Sequence, residues 1–162
     1  MYDGELLSKL LERENNAPLK EVFSFLEPQE RLKKLLALRS YVGKEAYAMY
    51  VRMVLQFDTH GLLSKTILEA LNGLKQEDLM HRSEIDKLSE FPEQLTIYRG
   101  TDISENTPRI FWSLSKDIAM SHYNGRLFRA IVNKHDIFAY FCCNCNEEEV
   151  LALVTDNFTI LL

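Results

Sequence analysis

The sequence predicts an α+β fold, in which a helical amino-terminal half precedes a mostly antiparallel, β-rich part. Apolar residues recur at helical spacing through the first ninety residues. After Pro92 the pattern changes to short segments rich in β-branched and aromatic residues. Helices first and strands second is the order typical of the α+β class.

Length and composition indicate one compact domain with a substantial core. The chain has 162 residues, of which 46% are hydrophobic. No internal repeat, low-complexity segment or linker divides it. We therefore expect a single domain over residues 1–162, with a helical part at 1–91 and a β-rich part at 92–162.

The net charge and the apolar runs argue against two classes of partner. A formal charge of −5 gives no general attraction for nucleic acid or for an anionic membrane. No apolar run approaches the roughly 20 residues that span a bilayer. The amino terminus, Met1-Tyr2-Asp3-Gly4-Glu5, lacks the build of a signal peptide. We expect a cytoplasmic protein that binds neither membrane nor nucleic acid.

Four apolar stripes predict the helices of the first part. They are Leu6/Leu7/Leu10/Leu11, Leu32/Leu35/Leu36 after Pro28, Tyr47/Tyr50/Val51/Val54/Leu55, and Leu63/Ile67/Leu71/Leu74. His60-Gly61 and Gly73 are expected to end helices. A charged helix over 76–90 should follow and stop before Pro92, which disfavours its continuation.

Six segments of the second part are predicted as strands: 95–99, 110–112, 127–132, 138–141, 150–154 and 158–162. Gly100 is expected to break the first of them. Ser115 is predicted to cap a short helix that has Asp117 in its first turn and reaches about Tyr123.

The three cysteines fall together in Cys142-Cys143-Asn144-Cys145. One C-x-x-C spacing without a second ligand pair does not predict a zinc site, because the histidines are scattered. Reduced cysteines near a strand end are the better interpretation, with a redox role as the alternative.

Three consecutive acids, Glu147, Glu148 and Glu149, lead into the apolar run Val150–Val154. If that run is a strand buried on both faces, Glu147 and Glu149 share one face, about 6.5–7 Å apart along the chain. Glu148 then points to the other side. Taken alone, the three acids are more simply explained as solvated residues of a loop.

Two further motifs precede these acids. Alternation along Leu95–Arg99 places Arg99 on the inward face of a strand beside Gly100, where a guanidinium needs carboxylate or phosphate partners. Trp112-Ser113-Leu114-Ser115 offers two hydroxyls where a strand meets a helix. Separately, each motif is compatible with a structural ion pair or with helix capping.

Together and in this order, Tyr98-Arg99-Gly100, Ser113-Leu114-Ser115 and Glu147-Glu148-Glu149 resemble the arginine-serine-glutamate class of ADP-ribosyltransferases, in particular small bacterial or phage-borne members. The segment Asp136–Phe141 is similar to the one before Glu-x-Glu in such members. The resemblance covers about residues 95–154. It differs at Leu114, where a small hydroxyl residue is usual.

The resemblance implies an NAD-dependent mono-ADP-ribosyltransferase that modifies a protein acceptor, with arginine as the expected target. It implies that Glu149 is catalytic and that Glu147 faces the acceptor. It also implies that NAD is bound by the residues Tyr98, Arg99, Gly100, Ser113 and Ser115. No metal is implied.

Two alternatives remain open. An NAD glycohydrolase on the same scaffold would transfer ADP-ribose to water. A non-catalytic module would keep the scaffold for protein contact, with the helical part as the partner surface.

Overall fold

The computed structural model describes residues 26–57, 62–104, 110–142 and 148–162. It contains helices followed by an antiparallel sheet, which confirms the α+β class. The chain divides into two compact units, Met1–Leu79 and Met80–Leu162. The expectation of a single domain stays a prediction.

The first unit is helical wherever it is described. Its helices are α1 (Pro28–Leu38), α2 (Lys44–Phe57), α3 (Ser64–Leu71) and the single turn α4 (Gln76–Leu79). The predicted stripe of α2 is confirmed, because all five of its residues are at most 2% exposed. The stripe Leu6–Leu11 and the stop at His60-Gly61 lie outside the described residues.

The ends of α1 and α3 follow local chemistry. Pro28 occupies the first turn of α1, where its missing N–H costs nothing. Gly73, just beyond α3, has a φ of +76°, which favours glycine and confirms the predicted helix exit. Leu63 is the exposed N-cap of α3 and does not join its buried stripe.

The predicted charged helix over 76–90 is in fact two helices. The helical conformation is interrupted after α4, at Met80 and His81. The next helix, α5 (Arg82–Glu90), belongs to the second unit. The Glu84 carboxylate accepts a hydrogen bond of 2.8 Å from the His81 backbone N–H, half of a capping box that starts a new helix. α5 ends before Pro92, as predicted.

The second unit forms one six-stranded sheet. Its strands are β1 (Gln94–Asp102), β2 (Phe111–Ser113), β3 (Gly125–Asn133), β4 (Ala139–Phe141), β5 (Glu149–Leu151) and β6 (Phe158–Ile160). Their order across the sheet is β4-β5-β2-β1-β3-β6, and every neighbouring pair is antiparallel. All six predicted strands are present. β2, in the middle of the order, brings β1 and β5 to its two sides.

Gly100 does not break the first strand, because β1 continues to Asp102. A Cβ at Gly100 would lie 1.9 Å from the Ala119 carbonyl oxygen. Ala119 belongs to the short helix α6 (Lys116–Ser121), which therefore rests directly on the β1 backbone. Glycine is needed here for close approach and not as a strand terminator.

The predicted cap of α6 is confirmed. The Ser115 hydroxyl oxygen accepts a hydrogen bond of 3.3 Å from the Ile118 N–H. Asp117 lies in the first turn, where a carboxylate complements the helix dipole. This cap fixes the chain immediately after Ser113.

In the described ranges, no helix is both long enough and apolar enough to cross a membrane.

Candidate active site

One residue from every strand falls on a single line across the sheet. Each member of the line is the register partner of the next. Side chains of directly opposed residues in antiparallel strands share a face of the sheet. We name this line the cross-strand row; in sheet order it is Phe141, Glu149, Ser113, Tyr98, Arg129 and Thr159.

The row brings together three of the predicted site residues, Tyr98, Ser113 and Glu149, and Ser113 and Glu149 are directly paired. They are register partners on β2 and β5, so their Cα atoms lie about 4.5–5.5 Å apart. Glu149 is half-buried and opens β5, whose next two residues, Val150 and Leu151, are fully buried. Glu149 therefore opens a buried strand, as expected, but the predicted strand over Val150–Val154 is shorter, because β5 ends at Leu151 and Leu153 is exposed.

Ser113 is 8% exposed and its hydroxyl has a defined role. Its Oγ accepts a hydrogen bond of 3.0 Å from the Ser115 N–H. A serine hydroxyl also has one hydrogen to donate. Register places Glu149 directly opposite Ser113 on the same face of the sheet.

Arg99 lies beside the row but not on it. It follows Tyr98 on β1, and alternation places it on the face of the buried Leu95 and Ile97. Its Nη1 donates a hydrogen bond of 2.8 Å to the carbonyl oxygen of Phe111 on β2. Among described residues, β1 and β2 are in register at Tyr98 and Ser113 only. The Arg99 guanidinium thus connects β1 to β2 next to the Tyr98–Ser113 pair.

Three aromatic residues close to the motifs, Tyr98, Trp112 and Tyr123, are candidates to stack on nicotinamide or to pack in the core, and their environments differ. Trp112 is 3% exposed, and its indole N–H donates to the Ala152 carbonyl oxygen at 3.2 Å, so it belongs to the core. Tyr98 is half-buried on the row. Tyr123 follows α6 and is 38% exposed. Tyr98 and Tyr123 remain candidates for stacking.

Arg129 is a member of the row that the sequence reasoning did not single out. It lies on β3 as the register partner of Tyr98, and it is exposed. No hydrogen-bond or ion-pair partner for its side chain occurs in the part of the chain that the structure describes. Alternation in 127–132 could have shown its outward direction, but the β1–β3 pairing could not be predicted from the sequence.

Glu147, Cys143 and Cys145 lie outside the described residues, and so their predicted roles stay predictions. Cys142 is a half-buried free thiol at the end of β4. Its backbone N–H donates to the carboxylate of Glu84 at 3.2 Å, and Glu84 is 3% exposed. Glu84 therefore joins the start of α5 to the end of β4.

Over residues 26–57, 62–104, 110–142 and 148–162, no group of three or more metal-ligating side chains could hold a metal ion.

No protein-family model matches the chain, and no curated protein or solved structure is significantly similar to it. The functional assignment therefore depends on the residues themselves.

Proposed function

We propose that the protein is an NAD-dependent mono-ADP-ribosyltransferase whose catalytic residue is Glu149. The observation that supports this most is the cross-strand pairing of Ser113 with Glu149, adjacent to Tyr98. Arg99 and Ser113 are 14 positions apart in sequence, and Ser113 and Glu149 are 36 apart. The three motifs nevertheless fall on the adjacent strands β1, β2 and β5. Coincidental motifs would have no reason to meet in this way.

The chemistry suits the residue types. Cleavage of the N-glycosidic bond of NAD sends the bonding electron pair to nicotinamide and leaves positive charge on the ribosyl carbon. A carboxylate at Glu149 stabilises that charge and accepts a hydrogen bond from a ribose hydroxyl. Ser113, anchored by the Ser115 N–H, holds the carboxylate in orientation.

The diphosphate of NAD requires a cation, and two arginines are near. Arg99 is the residue that the motif favours, and its planar guanidinium suits bidentate contact with phosphate. Arg129 lies on the row itself, three strands from Glu149, or about 14–15 Å at the usual strand spacing. That distance suits an extended dinucleotide laid along the row from Glu149, whereas Arg99 is favoured by its motif alone, because alternation along β1 directs it to the opposite face of the sheet.

Transfer needs a nucleophile that attacks the ribosyl carbon and loses a proton. We infer that an arginine guanidinium of an acceptor protein is the nucleophile and that Glu147 accepts its proton. Water as the acceptor would make the same site an NAD glycohydrolase.

The test is nicotinamide release from NAD by the purified protein, followed by mass spectrometry of acceptor proteins. We expect release by the wild type and a loss of several orders of magnitude in Glu149→Gln, which keeps the shape and removes the charge. Equal release by the variant would overturn the assignment of Glu149. Release without any modified protein would favour the glycohydrolase, and absence of NAD binding in calorimetry would favour the non-catalytic module.

A further inference from the structure

Glu148, the residue before Glu149, is held from two sides. Its Oε1 accepts a hydrogen bond of 2.8 Å from the Lys87 ammonium group on α5 and one of 3.4 Å from the Tyr140 hydroxyl on β4. Its backbone carbonyl oxygen accepts a bond of 2.9 Å from the N–H of Leu114. The side chain is thus tied to α5 and β4, and the main chain to the residue that follows Ser113.

The holding side chains are themselves well fixed. Tyr140 is fully buried, with the Phe91 ring packed edge-on at 5.4 Å and the Lys87 ammonium 5.7 Å from its ring centroid. Burial raises the pKa of Tyr140 to about 12, so it is a neutral donor at physiological pH. The hydrogen bond to Glu148 raises the pKa of Lys87, which keeps its charge.

Strand geometry links this contact to Glu149. Tyr140 is the register partner of Val150, so Glu148 shares the face of Tyr140 and Val150. Glu149 must then point to the opposite face, that of Ser113. A slip by one residue would exchange the faces of every side chain of β5. In a run of three glutamates such a slip would replace one carboxylate by another opposite Ser113.

We propose that Lys87 and Tyr140, by their hydrogen bonds to Glu148, fix the register of β5 and so determine that Glu149 is the carboxylate opposite Ser113. We call this pair of residues the register lock. The catalytic part of this inference rests on the proposed function. Lys87 and Tyr140 are positioning residues, since they reach the site only through Glu148. The Lys87–Glu148 ion pair is half-exposed, so we expect its loss to change the free energy of unfolding little and to act mainly on the position of β5.

Lys87→Met tests the lock by removing the charge while keeping an apolar stem. We expect kcat for nicotinamide release to fall about two- to five-fold with little change in the KM for NAD, because loss of a half-exposed ion pair misplaces the carboxylate in part while the NAD contacts remain. Lys87→Arg should restore most of the activity. Tyr140→Phe, which keeps the packed ring, should give a smaller fall. The matched control is Lys33→Met, which removes the exposed Lys33–Glu30 pair of α1 and should leave kcat unchanged.

Hydrogen exchange without NAD provides a second readout. The Leu114 amide, which donates to Glu148, should exchange faster in Lys87→Met than in wild type and in Lys33→Met. Unchanged kcat together with unchanged Leu114 exchange in Lys87→Met would overturn the lock. If the wild type releases no nicotinamide, the proposed function fails. The lock is then decided by Leu114 exchange alone, and unchanged exchange refutes it.

Discussion

Single side chains in the second unit are placed by contacts that act over long sequence distances. Lys87 and Glu148 are 61 residues apart, yet their charged groups meet at 2.8 Å. Alternation predicts that Glu148 points to the face opposite that of Glu149, and the structure places it on the face of Tyr140 and Val150. That Lys87 is the partner of Glu148 was not predictable, because no local sequence pattern links a lysine on a helix to one particular residue among Glu147, Glu148 and Glu149. We therefore expect Glu148→Gln to be milder than Glu149→Gln but not neutral.

Two buried tyrosines predict how stability changes at high pH. Burial raises the pKa of Tyr50 on α2 and of Tyr140 on β4 to about 12 in each case. In the unfolded chain both titrate near 10. The folded state therefore keeps protons that the unfolded state loses, and the resulting stability is fully present below about pH 10 and is lost as the pH rises towards 12.

Urea unfolding at pH 8, 10 and 11 measures this effect. We expect the free energy of unfolding to fall as the pH rises above 10, by roughly 1–3 kcal/mol for each tyrosine over the full range. Tyr50→Phe and Tyr140→Phe should each make the fall shallower. Tyr41→Phe is the control, since Tyr41 is 74% exposed. The same slope in all three variants would contradict the burial of these hydroxyls.

The elements of the fold were predictable where a pattern is local. Amphipathic stripes predicted α1 and α2, and a change of period predicted the strands. Two predictions were wrong, the strand break at Gly100 and the unbroken helix over 76–90. In each case the local sequence pattern does not contain the contact or cap that determines the structure. Gly100 was read as a strand break because its close neighbour, Ala119, is brought there only by the fold. The break before α5 was missed because histidine is not a usual N-cap, although Glu84 at the third helical position was a signal.

The contact between α6 and β1 makes a prediction for Gly100→Ala. The added Cβ would meet the Ala119 carbonyl oxygen at 1.9 Å, so α6 must move away from the strand. We expect the free energy of unfolding to fall by about 1–3 kcal/mol, as for other overpacked sites. Nicotinamide release should fall as well, because the cap of α6 follows directly on Ser113.

Gly43→Ala is the matched control for this experiment. A Cβ at Gly43 meets nothing within 4 Å, so only the small cost of alanine before a helix is expected. Urea unfolding of both variants measures the difference. Equal stability of Gly100→Ala and Gly43→Ala would show that α6 does not rest on β1 in solution.

Across the whole second unit, the row collects residues from all six strands, and its composition indicates where a dinucleotide would lie. The acid Glu149 is near one edge and the cation Arg129 near the other, with Tyr98 between them. The resemblance predicted Tyr98, Ser113 and Glu149 as parts of one site, and the three residues lie on adjacent strands of the row. It did not predict Arg129, because the order of strands in a sheet is a property of the fold and not of any segment.

The two arginines differ in environment, and this predicts different effects on NAD binding. Arg99 is half-buried and already fixed by its bond to the Phe111 carbonyl oxygen, whereas Arg129 is exposed. A preorganised guanidinium loses less entropy on binding phosphate. We expect Arg99→Gln to raise the KM for NAD roughly 10- to 100-fold, as for loss of a charged hydrogen bond. Arg129→Gln should raise it only about two- to five-fold, as for an exposed ion pair.

Steady-state kinetics of nicotinamide release by both variants decides between the two cations. Arg82→Gln serves as the control, because Arg82 makes an exposed pair with Asp86 on α5, and its KM should equal that of the wild type. A large effect in Arg129→Gln with an unchanged KM in Arg99→Gln would move the diphosphate to the β3 side of the row. Arg99 would then act only as the link between β1 and β2, and its loss would appear in urea unfolding instead of in the KM.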